Sequence, residues 1–102
     1  MAQDIQKWTS QDTPNTQNGK WVSDLGIYGT LRQVLIAPKT PDTVYDVGLK
    51  DESGMVVFAR FDVKGFLATE DLRVILFPGI KQLIIENSTK DEEFAVKLIY
   101  QS

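Results

Sequence analysis

The sequence predicts an all-β fold: a single antiparallel β-sandwich or jelly-roll-like domain over residues 20–102, preceded by an extended N-terminal arm over residues 1–19. Three observations lead there. Apolar residues from Lys20 onward recur with a period of two rather than 3.6, the signature of half-buried strands. Turn residues interrupt them about every ten positions, the spacing of a sandwich or small barrel. The first nineteen residues have a different composition from the rest, with six Asn or Gln and only Met1, Ala2, Ile5 and Trp8 as apolar residues.

The elements follow in order. Residues 1–19 cannot bury enough apolar surface alone to offset the entropy of ordering them, so they read as an arm that is flexible in isolation. Such an arm is either a frayed terminus or a segment that lies on a neighbouring subunit with Trp8 as anchor, since Trp is a frequent interface hot spot. Seven strands are expected, near residues 20–25, 28–37, 43–50, 55–63, 72–77, 81–87 and 93–101. The third is the clearest. Tyr45, Val47 and Leu49 alternate with Val44, Asp46, Gly48 and Lys50. Asp51-Glu52-Ser53-Gly54 then suits a hairpin with glycine in the left-handed position. Residues 38–41 and the Phe77-Pro78-Gly79 step are breakers, and 87–91 is a polar connection. Gly-Ile-Tyr-Gly at 26–29 marks a bulge or a tight connection. Residues 66–71 read as a loop or one helical turn. Near the end, Asp91, Glu92 and Glu93 would suit a helix N-terminus, but Val96, Ile99 and Tyr100 favour a strand.

Composition excludes several chemistries. The 102 residues are enough for one domain, and their 42% hydrophobic and 25% charged content is that of an ordinary globular chain. The absence of His and Cys removes thiol nucleophiles, disulfides, histidine acid–base catalysis and the common zinc sites. Neither GxGxxG nor the P-loop pattern is present, and Asp51-Glu52-Ser53-Gly54 lacks the EF-hand pattern. Paired carboxylates could serve a glycosidase, but Asp46 and Asp62 are flanked by apolar residues and should point outward from their strands into solvent. No catalytic, cofactor-binding or metal-ligating residues are therefore expected, and no cofactor. Eleven basic residues face fourteen acidic ones, a net charge of −3, and no two basic residues are adjacent. A clustered basic footprint for nucleic acid is thus missing. Neither a secretory h-region nor a run of about 20 apolar residues is present, so no membrane association is expected. The longest acidic run, Asp91-Glu92-Glu93, reads as a solvated turn.

The positive feature is apolar character on both faces of some strands: 55–58, 74–77, 83–85 and 98–99 are continuously apolar. A strand of a two-sheet sandwich should have one polar face. The excess arises either from bulges, sheet-crossing strands or cover by the arm, or from an interface with another subunit or partner. On the second reading Ile5, Trp8 and Trp21 make arm contacts, and Ile75, Phe77, Ile84 and Ile99 form an outer apolar face. Trp21 and Tyr28 could instead stack on sugar rings, as in a carbohydrate-binding module. An accessory enzyme working through carboxylates is a third class.

The run from Thr43 to Met55, with Tyr45-Asp46-Val47-Gly48-Leu49-Lys50-Asp51-Glu52-Ser53-Gly54 at its centre, resembles the YDVxLxDexGxxV segment of small β-rich virion structural proteins of tailed bacteriophages. Leu83-Ile84-Ile85-Glu86-Asn87-Ser88 and Phe94-Ala95-Val96-Lys97-Leu98-Ile99-Tyr100 are similar to the closing pair of strands of that family, and the likeness spans roughly residues 28–100. The resemblance implies a non-enzymatic capsid decoration or cement protein, or a head–tail connector, neck or tail component. It would form a homo-oligomer and bind the major capsid protein or a neighbouring virion protein at the capsid surface or neck.

Overall fold

The computed structural model describes residues 5–10 and 15–101. They form nine strands in two antiparallel sheets and, among the described residues, no helix. The strands are β1 (Ile5–Thr9), β2 (Trp21–Leu25), β3 (Gly29–Pro38), β4 (Val44–Lys50), β5 (Val56–Lys64), β6 (Leu67–Ala68), β7 (Val74–Leu76), β8 (Lys81–Glu86) and β9 (Phe94–Gln101). One sheet runs β1-β9-β3-β6, with β7 also on β3; the other runs β2-β8-β4-β5. We call them the β9 sheet and the β8 sheet. This is the β-sandwich that the period-two pattern predicts, and each of the seven expected strands has its counterpart.

The register sets the core. On β9, Phe94, Val96 and Leu98 face inward, opposite Pro38, Ile36 and Val34 of β3. On the other sheet Leu83 and Ile85 of β8 lie beside Leu49 and Val47 of β4, and all four are buried. Burying such a side chain contributes roughly 1.5–3 kcal/mol. Tyr45 and Phe94, both 0% exposed, meet edge to face with ring centroids 5.1 Å apart. The Tyr45 hydroxyl donates to the Gly65 carbonyl at 2.8 Å, so the core holds its one large polar tip without leaving it unpaired. Burial pushes the phenol pKa well above its ordinary value.

Local chemistry accounts for the connections. At the β4–β5 hairpin the Asp51 carboxylate accepts from the Ser53 hydroxyl at 2.6 Å and from the Ser53 and Met55 N–H groups, both at 3.0 Å. These bonds, that to the Ser53 hydroxyl foremost, hold the Asp51 pKa below its ordinary value. Gly54 turns the chain at φ +87°, the left-handed conformation expected of it. Residues 26–28 carry the chain from the β8 sheet to the β9 sheet. Residues 66–71, open between loop and helical turn in the sequence, contain the two-residue strand β6.

The N-terminal segment differs from a free arm. Residues 5–9 form β1 on the edge of β9, with Trp8 opposite Leu98 on the inward face and packed against the core. The reason is borrowed surface: the segment lacks apolar content of its own, but β9 offers both unpaired backbone groups and an apolar wall. Residues 15–19 are tied down as well. The Thr16 hydroxyl donates to the Lys90 carbonyl, Thr16 exchanges hydrogen bonds with the Glu92 backbone, and the Asn18 and Gly19 N–H groups donate to the Asp91 carboxylate at 3.1 and 2.8 Å. Residues 1–4 and 11–14 of the expected arm, Met1 and Ala2 among them, lie outside the described residues.

Candidate interaction surfaces

Cross-strand partners point to the same side of a sheet, so the register also assigns the outer faces. On the β9 sheet one outward row runs Ile5, Gln101, Thr30 and Ile75; the next runs Lys7, Ile99 and Gln33; a third runs Thr9, Lys97, Leu35 and Ala68. Arg32 joins this face, because its guanidinium donates to the Gln101 side-chain oxygen at 3.2 Å. A shallow groove of about 510 Å³ lies there, between Ile5 and Ile99 on one side and Arg32, Glu70 and Asp71 on the other. A second, more apolar depression of about 400 Å³ lies further along the same face, over Leu35, Ala37 and Ala95, with the exposed ring of Phe66 at its margin.

On the β8 sheet the outward rows are Asp46 and Glu86; then Val22, Ile84, Gly48 and Ala59; then Asp24, Gln82, Lys50 and Val56. Asp46 points outward, as its flanking residues predict. Its carboxylate accepts from the Asn87 amide and from the Asp62 N–H, both at 2.8 Å, and these bonds lower its pKa. Among the described residues no group of three carboxylates is placed to hold a metal ion.

A third surface lies at the end of the sandwich where β3 begins. Gly29 pairs with Leu76, so Tyr28 and Phe77 sit just beyond the same register pair. Tyr28 is 54% exposed and Phe77 74%; Ile75 and Ile80 are also exposed. The loop that carries Phe77 and Ile80 is fastened from below. Lys81 is buried, and its amine donates to the Phe77 carbonyl and to the Gly79 carbonyl at 2.7 Å. A cation turned inward thus lets two apolar side chains turn outward.

The structure brings together some of the residues expected to make contacts and separates others. Ile5, Ile75 and Ile99 share the outer face of the β9 sheet, and Phe77 follows directly on its β7 edge. Trp8 and Trp21 are not on that surface, since both rings pack against the core from opposite sheets. Ile84 does face outward, but it is only 9% exposed on a central strand between Val22 and Gly48. The basic strand residues of the β9 face, Lys7, Arg32 and Lys97, are far apart in sequence and share a face only through the register, with Glu70 and Asp71 beside Arg32 in the groove. Ile80, beyond the breaker, has no periodic signal to mark it.

The acidic run 91–93 is likewise more than a solvated turn. The Glu92 carboxylate accepts from the Thr40 N–H at 2.7 Å, the Thr40 hydroxyl at 2.8 Å and the Thr43 hydroxyl at 3.2 Å. Desolvation opposes its ionisation, but these bonds outweigh it and the pKa is lowered.

The architecture is therefore that of a β-sandwich with exposed apolar and charged sheet faces. No protein-family model matches the chain, and no curated protein matches it in sequence. Among solved structures the fold is similar to that of a carbohydrate-binding module, CBM36, determined in complex with calcium and xylotriose. The TM-score is 0.50 at 12% sequence identity, and the match covers 95% of this chain and 99% of that one. At this identity the likeness concerns the fold.

Proposed function

We propose that this chain is a non-catalytic structural protein of a tailed-bacteriophage virion, a decoration or cement protein that binds the assembled shell in multiple copies. The observation that carries the reading is the cluster of outward apolar side chains on and beside β7, where Tyr28, Ile75, Phe77 and Ile80 are all more than half exposed. Large apolar residues grouped at one end of a sandwich are suited to burial against another protein. The resemblance of residues 43–55, 83–88 and 94–100 to small virion proteins supplies the setting. The test is immunogold labelling of purified virions of a phage that carries this gene. Label at symmetric positions on the head is the expected result. Label confined to the neck or tail would replace decoration by a connector or tail role, and unlabelled particles would refute the virion reading.

A second reading is favoured by the fold likeness to CBM36 together with the exposed rings of Tyr28 and Phe77. Aromatic faces at the rim of a sandwich can stack on sugar rings. Calorimetric titration with xylotriose tests it: saturable binding abolished by Tyr28→Ala would establish the sugar site, and no heat at millimolar sugar would remove it.

A further inference from the structure

One dipeptide of the chain carries covalent chemistry of its own. Asn18 is the only asparagine followed by glycine, and no aspartate is followed by glycine. In an Asn-Gly pair the glycine nitrogen can attack the asparagine side-chain carbonyl carbon, because glycine has no Cβ to obstruct the approach. The Gly19 N–H proton is lost, a new bond from that nitrogen to the Asn18 Cγ closes a succinimide ring, and the side-chain nitrogen leaves as ammonia. Water then opens the ring at either carbonyl and gives aspartate or isoaspartate. One water is consumed and one ammonia released, and nothing is oxidised or reduced. Asn18 is exposed, so water has access to it. The other two asparagines, Asn15 and Asn87, precede Thr16 and Ser88, whose side chains hinder the same attack.

The fold holds the pair in a form that resists this reaction. Asn18 and Gly19 are the two central residues of a tight turn, at φ +53° and +76°. Gln17 and Lys20 close it, with the Gln17 N–H donating to the Lys20 carbonyl at 2.9 Å and the Lys20 N–H to the Gln17 carbonyl at 3.1 Å. The Gly19 N–H, whose proton must leave, donates to one Asp91 carboxylate oxygen at 2.8 Å, and the Asn18 N–H donates to the other at 3.1 Å. A carboxylate in that place opposes loss of the proton, since the nitrogen would become an anion beside an anion. The Gly19 carbonyl accepts from the Ser88 N–H at 3.0 Å. Gly19 is thus clamped between Asp91 and Ser88, and its nitrogen cannot turn onto the neighbouring side chain without breaking these bonds. We infer that Asn18 is a deamidation site held latent by the Asp91 carboxylate, reactive only when residues 15–19 leave the connection between β8 and β9. Conversion to isoaspartate inserts one extra carbon into the backbone between the residue 18 Cα and the Gly19 nitrogen. The two N–H groups then no longer match one carboxylate, so the modification makes the detachment permanent. The inference does not depend on the virion reading.

The test incubates the full chain at about 37 °C and about pH 8 and follows residue 18 by intact mass and peptide mapping, which read a gain of about 1 Da. Folded wild type is expected to convert Asn18 at least about tenfold more slowly than the same chain unfolded in guanidinium chloride, because a hydrogen bond to a charged group shifts a local opening by that order. Asp91→Ala removes the carboxylate and leaves the backbone. Its folded form, checked by circular dichroism, is expected to convert Asn18 about tenfold faster than folded wild type, with Asn15 and Asn87 unchanged. Equal rates in the folded and unfolded wild type overturn the inference, and this comparison needs no variant that must fold. An unchanged rate in folded Asp91→Ala overturns the role of Asp91. A slower rate overturns it too, by showing that the carboxylate assists the proton's departure. Acceleration at all three asparagines alike would mean a general loosening and not the loss of a local clamp.

Discussion

Replacing Glu92 with alanine removes the acceptor for three donors at once: the Thr40 N–H, the Thr40 hydroxyl and the Thr43 hydroxyl. The substitution leaves the residue 92 backbone in place, and with it the hydrogen bonds exchanged with Thr16, so the loss falls on the β3–β4 turn. A hydrogen bond to a charged group contributes about 1.5–3 kcal/mol. The site is only partly buried, so water replaces much of what is lost and the three bonds do not add in full. A cost of about 2–3 kcal/mol remains, and in a domain of this size each kcal/mol lowers the melting midpoint by about 4–8 °C. Glu92→Ala is therefore expected to melt at least about 8 °C below the wild type at pH 7 by calorimetry. Glu92→Gln keeps one acceptor oxygen for the Thr40 N–H and should fall in between. The pH dependence supplies an independent check. The folded-state pKa of Glu92 lies below its ordinary value of 4.5, so its contribution is complete above that value and is lost as the pH falls through the folded pKa. The gap between wild type and Glu92→Ala should narrow between pH 7 and pH 3. A variant within about 3 °C of wild type at pH 7, or a gap that widens in acid, would refute the reasoning.

Three further substitutions probe the same framework, the first two by urea unfolding and the third by hydrogen exchange. Tyr45→Phe deletes the buried hydroxyl and leaves the Gly65 carbonyl without its donor, an expected loss of about 1–3 kcal/mol with the edge-to-face contact to Phe94 intact. Gly65→Ala puts a Cβ on the Pro41 carbonyl oxygen at φ +72°, so more than about 2 kcal/mol is expected, and an unchanged midpoint would contradict the described turn. Trp8→Ala removes the one large side chain by which β1 reaches the core. Faster hydrogen exchange confined to β1 and β9 is expected, whereas no change at β9 would mean that Trp8 does not hold the strand.

What the sequence reveals is governed by whether a signal is local. Tyr45, Val47 and Leu49 announce their strand because alternation needs only neighbours, and Asp51 with Gly54 announces the hairpin because a carboxylate acceptor and a left-handed residue suffice to build it. Residues 5–9 carry no such signal. Their strand exists because β9, some ninety residues later, supplies both hydrogen-bond partners and the wall on which Trp8 lies. The same holds for Glu92 and Lys81. A glutamate in an acidic run and a lysine after a breaker look solvated in sequence, yet threonines from the β3–β4 turn and carbonyls from the 77–80 loop become their partners on folding. The grouping of Lys7, Arg32 and Lys97 on one outer face is illegible for the same reason, since they belong to three strands.

The doubly apolar strands show how topology decides the meaning of one pattern. Ile75 and Ile84 occupy equivalent places in the sequence, each inside a continuous apolar run and each pointing away from the core. Ile84 lies on β8, which has β2 on one side and β4 on the other, and the Val22 side chain and the Gly48 backbone close around it. Ile75 lies on β7, a three-residue strand that pairs β3 alone, so its outer side has no neighbouring strand to shelter it. The outcome is 9% exposure for one and 64% for the other. An apolar outward residue on a central strand stabilises its own sheet; on a short edge strand it remains available to another protein. The predicted contact surface therefore contracts from four outward residues to those at the β7 edge and on the β9 face. On the proposed virion role, Phe77→Asp together with Ile75→Thr should abolish attachment to the particle while leaving the melting midpoint within about 2 °C, because neither side chain belongs to the core. An equal loss of attachment from Ile84→Thr alone, in a folded chain, would show that the central strand is part of the contact after all.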